Sequence, residues 1–165
     1  MPFAALAAAY ISGSILVLDY VHVLLGAIWT GTDVFLGLLF SAVISSSPIE
    51  TRKNVAARLL PMTLFFIPAV SVVVPLAGYL LALHEGIFTL SNWLFRAIFV
   101  IGILLVGTGF ATIVPFSMKI APIVYGKASP DRLPMYLKVI SSGAFVQMLL
   151  QMAIISLMAY IVVYL

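Results

Sequence analysis

The two histidines of the chain, His22 and His84, lie in separate long apolar stretches, and Arg96 follows the second of them. Two neutral imidazoles from facing helices can bind a haem iron axially, and an arginine can pair with a propionate carboxylate. The chain has no cysteine, so thiolate ligands are excluded and histidine is the natural ligand. These residues predict a haem b site with His22 and His84 on the iron and Arg96 on a propionate.

A mononuclear metal site is an alternative use of the same residues. Asp19 precedes His22 by one helical turn, and Glu85 directly follows His84. Together the four side chains supply the nitrogen and oxygen ligands that suit zinc, iron or copper(II). In a haem site, Asp19 would instead orient the imidazole of His22. Both interpretations remain open from the sequence.

A further ionisable group, Asp33, lies on the same helix about 16 Å beyond His22, at a rise of 1.5 Å per residue. This distance places the carboxyl near the middle of a membrane span. Gln147 and Gln151, one turn apart near the end of the chain, are plausible hydrogen-bond partners for it. The three residues predict either a proton relay or a structural hydrogen bond between helices.

The elements that must position these residues are membrane-spanning helices. Of the 165 residues, 64% are hydrophobic and 8% are charged, whereas soluble domains carry about a quarter charged residues. The mean hydropathy is +1.27. A spanning helix needs about 20 apolar residues, and the apolar stretches predict a single domain with spans at approximately 15–44, 57–84, 91–118 and 136–163.

The predicted fold class is therefore all-α, an integral membrane four-helix bundle in contact with the lipid bilayer, because helices satisfy their own backbone in lipid. Residues 1–14 are predicted to form a short interfacial or re-entrant segment. The net charge of +3 is too small to indicate a nucleic-acid partner. We expect the chain to be a multi-pass protein of the plasma membrane.

Basic residues are concentrated in two of the predicted loops. The positive-inside rule places these loops in the cytoplasm and both termini on the extracytoplasmic side. His22, His84 and Arg96 then all fall in the outer half of the membrane. The basic residues of the two loops are Arg52, Lys53, Arg58, Lys119, Lys127, Arg132 and Lys138.

One side of the first span carries polar and small residues within an arc of about 80°. A charge facing lipid costs roughly 3 kcal/mol or more, so this side is predicted to face the bundle interior. Gly26 would leave room for a flat macrocycle against the second span, and Trp29 would line the interior. The residues of this side are Asp19, His22, Gly26, Trp29, Asp33 and Gly37.

The stretch from Tyr20 to Phe40 resembles the first helix of the CopD/HemJ-like membrane proteins, through the pattern His22-x6-Trp29-x-Gly31. The end of the second span, Pro75-Leu-Ala-Gly-Tyr-Leu-Leu-Ala-Leu, is similar to the second helix of that superfamily. The resemblance implies a small helical bundle. Its HemJ branch implies a b-type haem and protoporphyrinogen oxidation, and its CopD branch implies a role in copper handling.

Three functions remain open from the sequence. The first is a haem b-binding electron-transfer protein or a subunit of a respiratory or oxidase complex, working with a quinone or a partner subunit. The second is a cofactor-free accessory subunit of a larger membrane complex or a homo-oligomer. The third is a transporter of an ion or a metal such as copper. No hydrolase or nucleotide-binding motif is present, so an enzyme here would be a membrane oxidoreductase.

Overall fold

The structure, a computed structural model, describes residues 1–164, and all regular structure in that range is helical. Four helices are long and apolar enough to cross a membrane, as predicted for an all-α multi-pass membrane protein. A shorter helix precedes them, and a 3-10 turn at Pro130–Arg132 leads into the last. The helices are α1 (Pro2–Ser12), α2 (Ile15–Ser45), α3 (Ile49–His84), α4 (Trp93–Val124) and α5 (Leu133–Tyr164).

The helices extend past the predicted spans at the end of the bundle that carries the basic loops. Helix α3 begins at Ile49 and not near 57, and α4 continues to Val124 and not only to 118. The added turns are richer in charged residues, with Glu50 in the first turn of α3. Polar side chains can continue a helix beyond the bilayer, so the span predicted from hydropathy is shorter than the helix.

The first residues form a helical hairpin with the first spanning helix. Gly13 ends α1 in the left-handed conformation, with φ of 65°, and the hydroxyl of Ser14 caps α2 by accepting from the amide of Val17. Leu6 and Ala9 of α1 are buried in one cluster with residues of α2 and α3. The predicted short N-terminal segment is thus a helix packed on the bundle.

Successive long helices run in opposite directions, so the bundle has two distinct ends. We call the end with Ser14, His84 and Trp93 the terminal side, and the end with the loops 46–48 and 125–132 the basic side. On the basic side, the guanidinium of Arg52 donates to the carbonyl oxygens of Ser45 and Ser47 at 2.6 and 2.8 Å. One basic residue of this side therefore caps the end of α2.

Three of the long helices contain a π-helical segment: Phe35–Phe40 in α2, Met62–Phe66 in α3 and Gly109–Ile113 in α4. In the last two, a proline follows the segment by two residues, at Pro68 and Pro115. A proline ring clashes with the carbonyl four residues before it, and in both helices that carbonyl lies inside the π segment. The wider turn relieves the clash.

The π segment of α2 has no proline in the turn that follows it. It is held instead by α5. The carbonyl oxygen of Leu36 accepts a hydrogen bond from the Ser141 hydroxyl at 2.7 Å. Gly37 lies directly against the backbone of Phe145. The π segment beside Asp33 is therefore stabilised by contacts with another helix, α5. Single π-helical turns are often found at functional sites.

The core is layered along the axis of the bundle. The layer at the terminal side joins α1, α2 and α3, and the largest cluster fills the basic side between α2, α3, α4 and α5. Between them lies a small apolar layer of Trp29, Val70 and Leu105, one from each of α2, α3 and α4. Asp33 lies one turn from Trp29, toward the basic side.

Candidate functional site

A buried hydrogen bond joins α2 to α5 near the middle of the bundle. The side-chain amide of Gln151 donates to Oδ2 of Asp33 at 3.0 Å. Asp33 is completely buried and Gln151 is 3% exposed. The hydrogen bond predicted between Asp33 and a glutamine of the last span is present, and the relay role of these residues stays a prediction.

Gln147, one turn before Gln151, bonds to a different helix. Its amide donates to the carbonyl oxygen of Leu105 in α4 at 2.8 Å. A Cβ at Gly109 would lie 2.8 Å from the amide nitrogen of Gln147, so α4 approaches this side chain closely at a residue that has no Cβ. The two glutamines thus tie α5 to α2 and α4 from neighbouring turns.

The polar groups of this site have acceptor oxygens that no residue of the range 1–164 satisfies. Among them are Oδ1 of Asp33, Oε1 of Gln147 and Oε1 of Gln151. The indole nitrogen of Trp29, one turn from Asp33 on α2, is a buried donor without a partner in the same range. Buried polar atoms are normally hydrogen-bonded, and each exception calls for an explanation.

The chemistry of these groups is suited to a small cation. Each glutamine donates a hydrogen bond through its side-chain nitrogen, and its side-chain oxygen has no partner among residues 1–164. Carboxylate and amide oxygens are the ligands that hard cations prefer. A carboxyl in the interior of a bilayer is stable when it carries a proton or lies beside a cation. We call Asp33, Gln147 and Gln151 the carboxyl site.

His22 packs tightly between α2 and α3. Its Nδ1 lies 2.9 Å from the carbonyl oxygen of Val74, and this contact is with the backbone, not with the carboxylate of Asp19. A Cβ at Gly78 would lie 2.8 Å from Cε1 of His22. The absence of a side chain at Gly78 is what lets the imidazole fit against α3.

The other residues of the predicted cofactor site lie near the terminal ends of α2, α3 and α4. His84 is exposed and bonds through Nδ1 to the Leu80 carbonyl oxygen of its own helix at 3.0 Å. Asp19, Glu85 and Arg96 are exposed. No group of three or more His, Cys, Asp or Glu side chains in the described range is placed to hold a metal ion. The alternative metal site of Asp19, His22, His84 and Glu85 therefore stays a prediction.

The contact between α2 and α3 also bears on the predicted haem position. A Cβ at Gly26 would lie 3.7 Å from Cγ1 of Val74, an ordinary van der Waals distance. Together with the His22–Gly78 contact, this closes the interface in which the macrocycle was expected. Gly26 serves helix packing, and the residues present do not fit a porphyrin between the two helices. Haem binding stays a prediction that this geometry does not favour.

Trp29 is buried, with 2% of its surface exposed, as predicted for a residue that lines the interior. The polar side predicted for α2 faces inward at Trp29 and Asp33 but not at Asp19, which is exposed. Asp19 lies close enough to the terminal end of α2 for its carboxylate to reach water. The inward-facing part of this side therefore begins one turn later than predicted.

Comparisons of the chain with protein-family models, with curated proteins and with solved structures find no match. The resemblance to the CopD/HemJ-like proteins accordingly stays a prediction. The class that the fold defines is an all-helical protein with four membrane-spanning helices, and its most distinctive feature is the carboxyl site.

Two features of the bundle interior could not be predicted from the sequence. Gly78 lies within the motif at the end of the second span, but its contact with the imidazole of His22 depends on which helices are neighbours. Ser117 of α4 is completely buried, and its hydroxyl has no hydrogen-bond partner among residues 1–164. A single serine in an apolar stretch gives no signal in the sequence, because most such serines bond to their own helix.

Proposed function

We propose that the protein takes up a proton or a small monovalent cation at Asp33, inside the bilayer, and moves it as part of an ion-translocating membrane system. The observation that carries the proposal is the buried carboxyl of Asp33, bonded to Gln151 through one oxygen while the other has no partner in the described range. Intramembrane carboxyls are costly and mark ion or proton pathways.

Structural bonding between helices accounts for only part of the site. A carboxyl used only to join α2 to α5 would need one acceptor, which an uncharged side chain such as asparagine supplies equally well. The site instead combines Oδ1 of Asp33 with the two amide oxygens of Gln147 and Gln151, all buried and without a partner among residues 1–164. An excess of acceptors over donors favours a positively charged occupant.

Trp29 offers a direct test of binding. The chain has two tryptophans, and the Trp93→Phe variant leaves Trp29, one turn from Asp33 and within about 6 Å by Cβ, as the only indole. In lipid nanodiscs, we expect the fluorescence of this variant to change on titration with acid or with NaCl in place of choline chloride. The acid and sodium titrations distinguish a proton from a metal cation.

The response should disappear in Asp33→Asn, which keeps the size and the hydrogen-bonding shape of the side chain. Asp19→Asn is the matched control, since Asp19 is an exposed carboxyl on the same helix, and its response should be unchanged. A response that survives Asp33→Asn would contradict the proposal. Circular dichroism of both variants checks that the helices are retained.

Movement of the ion is tested in proteoliposomes. We expect flux of protons, followed with an entrapped pH dye, or uptake of radioactive sodium, to fall at least tenfold in Asp33→Asn relative to Asp19→Asn. Binding without flux would indicate an ion-binding subunit that needs another protein to supply the channel or the driving force.

The haem b electron-transfer function predicted from the sequence makes a different prediction. The purified protein would show a Soret band that is lost in His22→Ala, while Asp33→Asn would leave the band unchanged. A colourless protein whose Trp29 fluorescence responds to cations supports the carboxyl site.

A further inference from the structure

A small cavity lies between the carboxyl site and the basic side. Its volume is about 20 Å³, and all four spanning helices contribute to its walls. Leu36 and Phe40 of α2 form one wall, so the cavity begins one helical turn from Asp33. A cavity needs an accessible volume of roughly 10–15 Å³ to hold one water molecule. The volume is therefore sufficient for a single water.

The wall of this cavity is apolar except for two hydroxyls. Ser117 is 0% exposed and its hydroxyl has no hydrogen-bond partner in the range 1–164. Thr63 is 4% exposed and donates to the carbonyl oxygen of Leu60 at 3.2 Å, which leaves the lone pairs of its oxygen free to accept. A buried water needs two or more polar groups, and these hydroxyls supply them from α3 and α4.

The opposite side of Asp33 is sealed. The apolar layer of Trp29, Val70 and Leu105 lies between Asp33 and the terminal side, and none of the three is more than 2% exposed. Along α2, Asp33 is separated from Ile15 at the terminal end by about 27 Å of helix and from Ser45 at the basic end by about 18 Å, at 1.5 Å per residue. The shorter path to water therefore runs through the cavity.

We infer that the cavity beside Ser117 and Thr63 is a hydrated station on the ion route, and that Asp33 exchanges its proton or cation with the basic side and not with the terminal side. This inference rests on the proposed function and adds the direction of access. The unpartnered hydroxyl of Ser117 hydrogen-bonds the passing water, which relays a proton or hydrates a cation between the loops and the carboxyl.

The chain has no cysteine, so single thiols can test the route without a background. Ser117→Cys is nearly isosteric, and its reaction with the small reagent methanethiosulfonate-ethylammonium can be measured from each face of oriented proteoliposomes. Ser46→Cys and Thr89→Cys, at exposed positions on the basic and terminal sides, establish the orientation. We expect Ser117→Cys to react from the basic side at least tenfold faster than from the terminal side.

Ser71→Cys is the matched buried control. Ser71 is 1% exposed, but its hydroxyl bonds to the carbonyl oxygen of Pro68 at 2.9 Å, next to Val70 of the apolar layer. This thiol should react at least tenfold more slowly than Ser117→Cys from either face. Thr63→Cys, on the other wall of the cavity, should behave as Ser117→Cys does and serves if that variant does not fold.

Two results would overturn the inference: cavity thiols no more reactive than Ser71→Cys, or cavity thiols that react faster from the terminal side. Thiol reactivity does not require ion binding. These two results can therefore be distinguished from a result that contradicts the proposed ion-binding function. Unreactive cavity thiols with an Asp33-dependent Trp29 response overturn the route alone. Reactive thiols with a Trp29 response that survives Asp33→Asn overturn the function and the role of the route with it.

Discussion

At the scale of single residues, burial separates the polar side chains into two groups. Asp33, Gln147 and Gln151 are almost fully buried and bonded between helices, whereas Asp19, His84, Glu85 and Arg96 are exposed. Leaving a buried acceptor unsatisfied costs about 1–3 kcal/mol. The protein sustains this cost at the carboxyl site, which is why we place its chemistry there and not at the histidines.

His22 provides a prediction at this scale because its fit depends on one missing side chain. In Gly78→Ala, the new Cβ would meet the imidazole at 2.8 Å. We expect the free energy of unfolding to fall by about 1–3 kcal/mol, as for other overpacked sites. The measurement is chemical unfolding of the purified protein in bicelles.

Gly26→Ala is the matched control on the facing helix, because its Cβ would meet Val74 at the ordinary distance of 3.7 Å. Alanine is favoured over glycine within helices by roughly 0.5–1 kcal/mol, so this variant should be as stable as the wild type or more stable. Equal losses in the two variants would argue against the tight His22–Gly78 contact.

At the scale of elements, the irregular turns have two different origins. The π segments of α3 and α4 each precede a proline, so their cause is local. The π segment of α2 depends on α5, through the Ser141 hydroxyl on the Leu36 carbonyl and the close approach at Gly37. A contact between helices thus shapes the backbone beside Asp33.

Gly37→Ala tests this dependence. Its Cβ would lie 2.8 Å from the backbone N and Cα of Phe145, and a main chain cannot rotate away as a side chain can. We expect the helices to separate, at a cost of about 2 kcal/mol or more in the free energy of unfolding.

Gly31→Ala, six residues earlier on α2, has no atom within 4 Å of its Cβ and should be as stable as the wild type or more stable by roughly 0.5–1 kcal/mol. The same bicelle unfolding assay compares the two. If Gly37→Ala is as stable as Gly31→Ala, the close contact of Gly37 with Phe145 does not hold the π segment against α5.

At the scale of the whole molecule, charge and burial divide the bundle along its axis. Seven of the eight basic residues lie at the basic side, and the Ser117 cavity lies between this side and Asp33. The terminal side has instead a continuous apolar layer above the carboxyl. The protein is therefore asymmetric across the membrane both in its charge and in the path to its buried carboxyl.

This asymmetry gives a prediction of topology. By the positive-inside rule, the basic side should face the cytoplasm. In intact cells, Thr89→Cys should be labelled by a membrane-impermeant maleimide, whereas Ser46→Cys and Ser129→Cys should be labelled only after lysis. Labelling of all three in intact cells, or of the opposite set, would contradict the predicted orientation.

Much of the fold could be predicted from the sequence because lipid imposes few solutions on an apolar chain. Runs longer than 20 apolar residues must form helices, so the number and approximate positions of the spans follow from composition. The inward position of Asp33 also followed, since a carboxyl is costly in lipid. The predicted helix ends were less accurate, because α3 begins at Ile49 and α4 continues to Val124, beyond the apolar spans.

The site was predicted only in part. The pairing of Asp33 with Gln151 could be expected from two polar side chains on apolar helices. The sequence could not establish whether His22 and His84 meet, because two side chains at a similar depth in the membrane can still face different helices. Likewise, Gly26 and Gly78 look equivalent in the sequence. Only the position of the neighbouring helix shows that Gly26 makes an ordinary packing contact with Val74, whereas Gly78 makes room for the imidazole of His22.

The sequence by itself determined that the chain forms four apolar spanning helices, with the basic residues gathered at one end and one carboxyl near mid-membrane. These properties depend on the free energy of transferring each side chain between water and lipid, and that free energy is set by the residue type. The tertiary structure alone decided which oxygens lack partners, that α2 and α3 close around His22, and that a cavity adjoins Asp33 on one side. Those properties depend on contacts between segments that are far apart in the sequence, so no local sequence pattern reveals them.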